Sequence, residues 1–128
     1  MAQFDLESTY LALNGAGRVV CLAGGPAFWA NMDERPDEGG ALVTVLTGEG
    51  DWPHWEMHPR GDEVLVLIEG GLRMLFEREG GQGEVHDMAP GATLIVPAGT
   101  WHRAVNQRDV RMLFITYGEG TQHRPVQA

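Results

Sequence analysis

The sequence predicts an all-β fold, a barrel or sandwich of short antiparallel strands, on three observations. Eighteen glycines in 128 residues, about twice the usual share, fall between short apolar stretches and do not pool in one flexible block. Helical periodicity is weak throughout, the best helix being a turn or two around Ala27 to Met32. Turn signals recur between the apolar stretches at a spacing that leaves no room for interleaved helices, as in sandwiches and barrels.

Taken in order, Pro36 with Gly39-Gly40 opens a polar loop after that helical turn. Candidate strands then run Ala41 to Thr47, Trp52 to His58, Glu63 to Glu69, Leu72 to Glu77, Ala92 to Pro97, Trp101 to Asn106 and Val110 to Tyr117. Gly70-Gly71 reads as a hairpin turn, because glycine supplies the positive φ that tight turns need. Glu79-Gly80-Gly81-Gln82-Gly83 reads as a second, looser turn. The run Val64-Leu65-Val66-Leu67-Ile68 loses the apolar/polar alternation, so both of its faces are expected to be covered, the outer one by a second sheet or another subunit. Residues 118–128 read as a tail over the surface, in which His123 and Arg124 have no assigned place.

Length and composition narrow the function. At 128 residues and 14.0 kDa the chain fits one domain, residues 1–128, since domains commonly hold roughly 100 to 150 residues. No apolar run approaches the roughly 20 residues that span a bilayer, so no membrane partner is expected. The opening MAQFDLESTY is acidic where a secretory signal is basic and then apolar, which leads us to expect a cytoplasmic protein. A formal charge of −9 opposes binding to nucleic acid, whose phosphates repel such a surface. Cys21 is the single cysteine, so no internal disulfide forms, and Val19, Val20, Leu22 and Ala23 around it suggest a buried, inert thiol. All nine basic residues are arginine, which excludes a lysine Schiff base.

Chemistry concentrates in two short segments. Along a strand His54, Glu56 and His58 share one face while Trp55 and Met57 take the other. The turn Pro59-Arg60-Gly61-Asp62 brings Glu63 back beside His58, and Pro97-Ala98-Gly99-Thr100 precedes a strand led by His102. Imidazoles and carboxylates together suit Zn, Fe, Ni, Mn or Co, and two His with a carboxylate and open positions is the usual non-haem iron arrangement.

Gly50-x5-Glu56-x-His58-x4-Glu63-x6-Gly70 resembles the first cupin motif, with Glu56 where the family usually has His. Gly91-x5-Pro97-x-Gly99-x2-His102-x3-Asn106 resembles the second motif at every defined position. The two motifs and their flanking strands cover roughly residues 40–117, leaving an N-terminal extension, 1–39, and a C-terminal tail, 118–128. The short segment between the motifs is similar to that of small single-domain bacterial cupins.

The resemblance implies a double-stranded β-helix, a jelly-roll-like barrel of two antiparallel sheets, often a homodimer, with one divalent metal ion (Fe, Mn, Zn or Ni) deep in the barrel. Carried over by position, the metal ligands are Glu56, His58, Glu63 and His102. The extra carboxylate at Glu56 favours a harder ion such as Mn or Fe. His54 on the same wall is the substitute ligand if a bulge turns it inward. Leu65, Leu67, Leu72, Met74, Phe76, Met112 and Phe114 are expected on the inner wall, with Trp52, Trp55 and Trp101 framing the mouth. Arg60 and Arg103 are candidates for gripping an anionic substrate.

Two functions follow. The first is a metal-dependent enzyme on a small molecule, by dioxygen activation or by carbonyl polarisation for isomerisation, with Glu56 or His54 as candidate base. The alternative is a binding or sensing module without turnover.

Overall fold

In the computed structural model residues 3–31, 40–78 and 81–127 are described. They form nine strands and one short helix. The strands are β1 (Thr9–Leu13), β2 (Val19–Ala23), β3 (Ala41–Gly50), β4 (His54–Met57), β5 (Glu63–Arg78), β6 (Gly81–Met88), β7 (Thr93–Val96), β8 (His102–Thr116) and β9 (Gln122–Pro125), with helix α1 (Pro26–Ala30) after β2. All strand pairs are antiparallel.

Two long strands make the architecture. β5 bends at Gly70-Gly71 and β8 bends between Asn106 and Asp109, and their register with each other shifts around those points. Each strand therefore contributes one half to each of two layers. One layer runs β2-β1-β3-β8-β5-β7 and uses the second half of β8 and the first half of β5. The other runs β6-β5-β8-β4-β9 and uses the remaining halves. The core between them holds Leu65, Leu67, Leu72, Met74, Phe76, Met88, Val96, Ala104, Val110 and Met112.

The bends revise the expected elements. Gly70-Gly71 is a corner within one strand and not a hairpin. Gly70 has φ 83°, and a Cβ there would collide with the carbonyls of Arg108 and Asp109 on the neighbouring strand. A tight turn and a sharp strand corner make the same demand for positive φ, so the dipeptide alone does not separate them. Trp101 to Asn106 and Val110 to Tyr117 likewise fuse into β8, whose corner places Asn106 and Asp109 at φ 55° and 50°.

The two termini also depart from expectation. The N-terminal extension contributes β1 and β2 to the first layer, and the supposed tail contributes β9, which pairs with β4. β6 was not anticipated. The helical turn around Ala27 is α1, while Met32 and the polar loop at Pro36 and Gly39 lie outside the described residues, as do Glu79 and Gly80 of the second turn. Cys21 is exposed on β2 and not buried, because β2 is an edge strand with a solvent-facing pattern. No described helix is long and apolar enough to cross a membrane.

Candidate metal centre

The two motif loops are tied together before any ligand is considered. The backbone N–H of Gly99 donates to His58 O at 2.9 Å, and that of Ala98 to the Asp62 carboxylate at 2.8 Å. Gly61 packs so closely on the Tyr117 ring that a Cβ would stand 2.8 Å from it. β4 and β8 are register neighbours at Glu56 and His102, while Glu63 opens β5. The loops and strands thus set Glu56, His58, Glu63 and His102 around one point, their ligand atoms within 4.8 Å of one another.

Three of these four side chains are buried, Glu63 at 1% and His102 at 0% exposure. His102 donates from Nδ1 to Thr100 O at 3.0 Å, which leaves Nε2 as a bare lone pair. That lone pair stands 3.1 Å from Glu63 Oε1, yet neither atom has a hydrogen-bond partner. The short separation is therefore not a hydrogen bond; two acceptors face each other in a buried site. Such a pair is repulsive unless a cation, a metal ion or a proton on Nε2, lies between them.

His58 is fixed in the same way. Thr121 Oγ1 gives its hydrogen to Gly118 O at 2.8 Å, so it accepts from His58 Nδ1 at 2.7 Å. His58 Nε2 then points at Glu56 Oε1 (2.9 Å) and Glu63 Oε2 (3.3 Å). Burial alone would lower the His58 pKa, but the bonds and charges of these two carboxylates raise it to about 9. Burial would raise that of Glu63, and the His102 and His58 imidazoles, in their protonated forms, instead bring it down to about 2. Burial and the charge of Glu63 would raise the Glu56 pKa, but the His58 bond together with the charges of His58 and His102 brings it below the ordinary carboxylate value. Without a metal ion, a proton on His58 Nε2 holds the cluster together. A bound divalent cation would take over that role.

Supporting contacts come from residues with no cupin-motif signature. The Thr116 hydroxyl donates to Glu63 Oε2 at 2.6 Å, and His123 Nε2 lies 3.1 Å from Glu56 Oε2. His123 sits directly across from Glu56 in the β4–β9 register. His54 packs edge-on against His123, ring centroids 4.5 Å apart, so the strand has no bulge that would bring it to the centre. His54, Glu56 and His123 form a second, more exposed group sharing Glu56.

A cavity of about 330 Å³ opens beside Glu56, His58 and Glu63. Trp52, Phe114, Leu42, Leu46 and Val110 line it together with Thr44, Gln107, His123 and Trp29. Trp52 packs edge-on against His102, ring centroids 5.8 Å apart. Of the pocket residues expected from sequence, Phe114 is on this wall. Met74, Phe76 and Met112 belong to the core instead. Trp101 stacks under Arg124, 4.6 Å from the ring centroid to the guanidinium carbon. Arg60 is exposed in its turn, and Arg103 is held by Trp52 O at 2.8 Å. Neither arginine lines the cavity.

The sequence matches the family model of the cupin domain over residues 41–116. The chain belongs to the cupin family. Among curated proteins this cupin is similar to an uncharacterized protein, YdbB, of Bacillus subtilis strain 168, 36% identical over 61 residues, 48% of each chain. It thus spans about half the length of that relative. Among solved structures it resembles a cupin-2 domain protein from Shewanella frigidimarina, with TM-score 0.51 and 22% identity over 59% of this chain and 69% of the other. It also resembles Bacillus subtilis oxalate decarboxylase, studied for its Mn(II) centres, with TM-score 0.53 and 19% identity over 68% and 23% of the two chains. At these identities the likeness is one of fold.

Proposed function

We propose that this cupin holds one divalent metal ion with Glu56, His58, Glu63 and His102 and acts enzymatically, in the cytoplasm, on a small molecule seated in the adjoining cavity. The observation that carries the proposal is the facing pair of bare acceptors, Glu63 Oε1 and His102 Nε2. Two carboxylates with two imidazoles favour a hard ion, Mn or Fe, over Zn or Ni. The Mn(II) centres named for the structurally similar oxalate decarboxylase support that order of preference.

A metal held there would supply Lewis acidity toward a carbonyl or, if redox-active, electron-transfer chemistry. The chain's own residues do the rest. Thr121 and the Thr100 carbonyl hold the imidazoles in the tautomer that presents Nε2, and Thr116 orients Glu63. Trp52, Phe114 and Leu42 exclude water from one side of the substrate. His123 borders the cavity and is placed to hold a proton at its wall, a role that His54, off that wall, does not fill. Elemental analysis of protein purified without added metal tests the proposal, with about one Mn or Fe per chain expected.

We also propose a homodimer. A row of apolar register partners, Ile95, Val64, Ile115, Val43 and Leu11, crosses the outer face of the first layer. Ile95 in that row is 59% exposed.

A further inference from the structure

We infer that the cavity takes a small uncharged ligand, largely apolar and presenting a neutral oxygen to the metal, and that it discriminates against carboxylates and other anions. The inference rests on the metal reading above and adds the class of substrate to it.

Charge counting at the centre comes first. A divalent cation held by Glu56, Glu63 and two neutral imidazoles has no net charge. An arriving anion would therefore leave a net negative charge in a site whose other ligands are buried. Burying an unbalanced charge costs far more than burying a neutral dipole. With a histidine in place of Glu56, the same site would carry one positive charge and welcome an anion.

The cavity wall does not correct this balance. Among the described residues no arginine lines it. Arg103 is engaged by Trp52 O and Arg124 by Glu77, and Arg60, within the first motif, is exposed in its turn and off the cavity wall. The whole chain carries −9, which further lowers the local concentration of anions.

Apart from the metal-site side chains and His123, whose Nε2 is engaged by Glu56 Oε2, the polar groups that line the wall are neutral. Gln107 is buried at 8% exposure, and its amide makes no side-chain hydrogen bond among the described residues. Gly48, lacking a Cβ, makes room for that amide. Thr44, also buried and lining the cavity, offers a hydroxyl that is likewise unpartnered among the described residues. An amide and a hydroxyl beside Trp52 and Phe114 recognise a neutral, flat molecule by hydrogen bonding and stacking. A volume of about 330 Å³ suits a single ring with a short substituent.

Benzamide and benzoate test this directly, being nearly isosteric and differing in charge. The Co(II)-loaded full chain is titrated with each at neutral pH, reading both the visible spectrum of the metal and the heat of binding. Benzamide is expected to bind at least tenfold more tightly and to perturb the Co(II) bands. Glu56→His, which keeps a donor at that position and adds one positive charge, is expected to move the benzamide-to-benzoate ratio at least tenfold toward benzoate. Gln107→Met should weaken benzamide several-fold and leave Co(II) content unchanged. Equal or tighter binding of benzoate, a ratio indifferent to Glu56→His, or binding of neither probe at millimolar concentration overturns the inference while leaving the metal site standing. A chain that takes up no Co(II) defeats the metal reading itself.

Discussion

Glu63 Oε1 and His102 Nε2 are two acceptors brought to 3.1 Å in a buried site, and the surrounding residues enforce that encounter. His102→Ala removes one of the four donors, so it should strip most of the metal, read as metal per chain after gel filtration; full retention would contradict the assignment. Glu56→Gln should weaken binding severely, since a neutral amide is a poor donor to a divalent cation, while His54→Ala should leave metal content nearly intact. The metal-free protein has its own signature in pH. The His58 pKa is raised from 6.5 to about 9, so its stabilisation is complete below 6.5 and disappears as pH rises through 9. The Glu63 pKa is lowered from 4.5 to about 2, so its stabilisation is complete above 4.5 and disappears as pH falls through 2. With EDTA present, the contribution of this pair to the melting temperature should therefore plateau between 4.5 and 6.5 and fall on either side. Metal addition at pH 7 should release about one proton, from His58, detectable as a dependence of binding heat on buffer ionisation. A heat independent of buffer would place the proton elsewhere. That Glu56, His58, Glu63 and His102 would cluster was legible in the sequence because each lies within a short motif. Thr121 and His123 were not, because only the pairing of β9 with β4 brings them to the site, and that pairing leaves no local spacing to read.

β5 shows at the level of an element why a correct local signal led to a wrong connection. Leu65 and Leu67 point inward from odd positions, whereas Leu72, Met74 and Phe76 point inward from even ones. The change of parity at Gly70-Gly71 is what a bulged corner produces, and a two-residue hairpin is equally compatible with it on sequence alone. Only the register with β8 on both sides of the corner separates them. Gly70→Ala should destabilise the protein by about 1–3 kcal/mol from the left-handed backbone alone, with the collision against Arg108 and Asp109 added. Urea unfolding measures the loss, and a change within error would mean that the corner can relax. β9 offers the complementary case: Gln122–Pro125 is too short and polar to declare itself a strand, so its residues looked like surface tail. Thr121→Ala, at the entrance to β9, should lower metal affinity by roughly 10- to 100-fold through loss of the contact that orients His58. Unaltered affinity would show that the imidazole needs no such support.

At the scale of the molecule, the two-layer architecture was readable from turn spacing and motif order, but what covers the outer face of the first layer was not. The run Val64 to Ile68 shows why. Its odd positions, Leu65 and Leu67, are completely buried within the chain, while Val64 and Val66 are half-buried and Ile68 is 36% exposed. The chain's own β7, β8 and β3 flank that surface and extend it sideways, since Ile95, Ile115 and Val43 join Val64 in one row across the layer. Sideways pairing satisfies backbone hydrogen bonds and buries Val43, but leaves Val64 and Ile115 half-covered and Ile95 facing water. Each fully buried aliphatic side chain contributes about 1.5–3 kcal/mol, so a twofold contact through this row has a clear driving force. Light scattering should accordingly give about twice 14.0 kDa at micromolar concentration. Ile95→Glu places a charge at the most exposed point of the row while its strand neighbours Leu94 and Val96 keep their inward positions. That variant should shift the mass toward the monomer and leave metal content unchanged, because the ligands face the other side of the layer. A wild-type monomer at these concentrations would overturn the dimer. A dimer indifferent to Ile95→Glu would move the interface to another surface, with the exposed edge of β2, where Val19 is 57% exposed, as the next place to substitute.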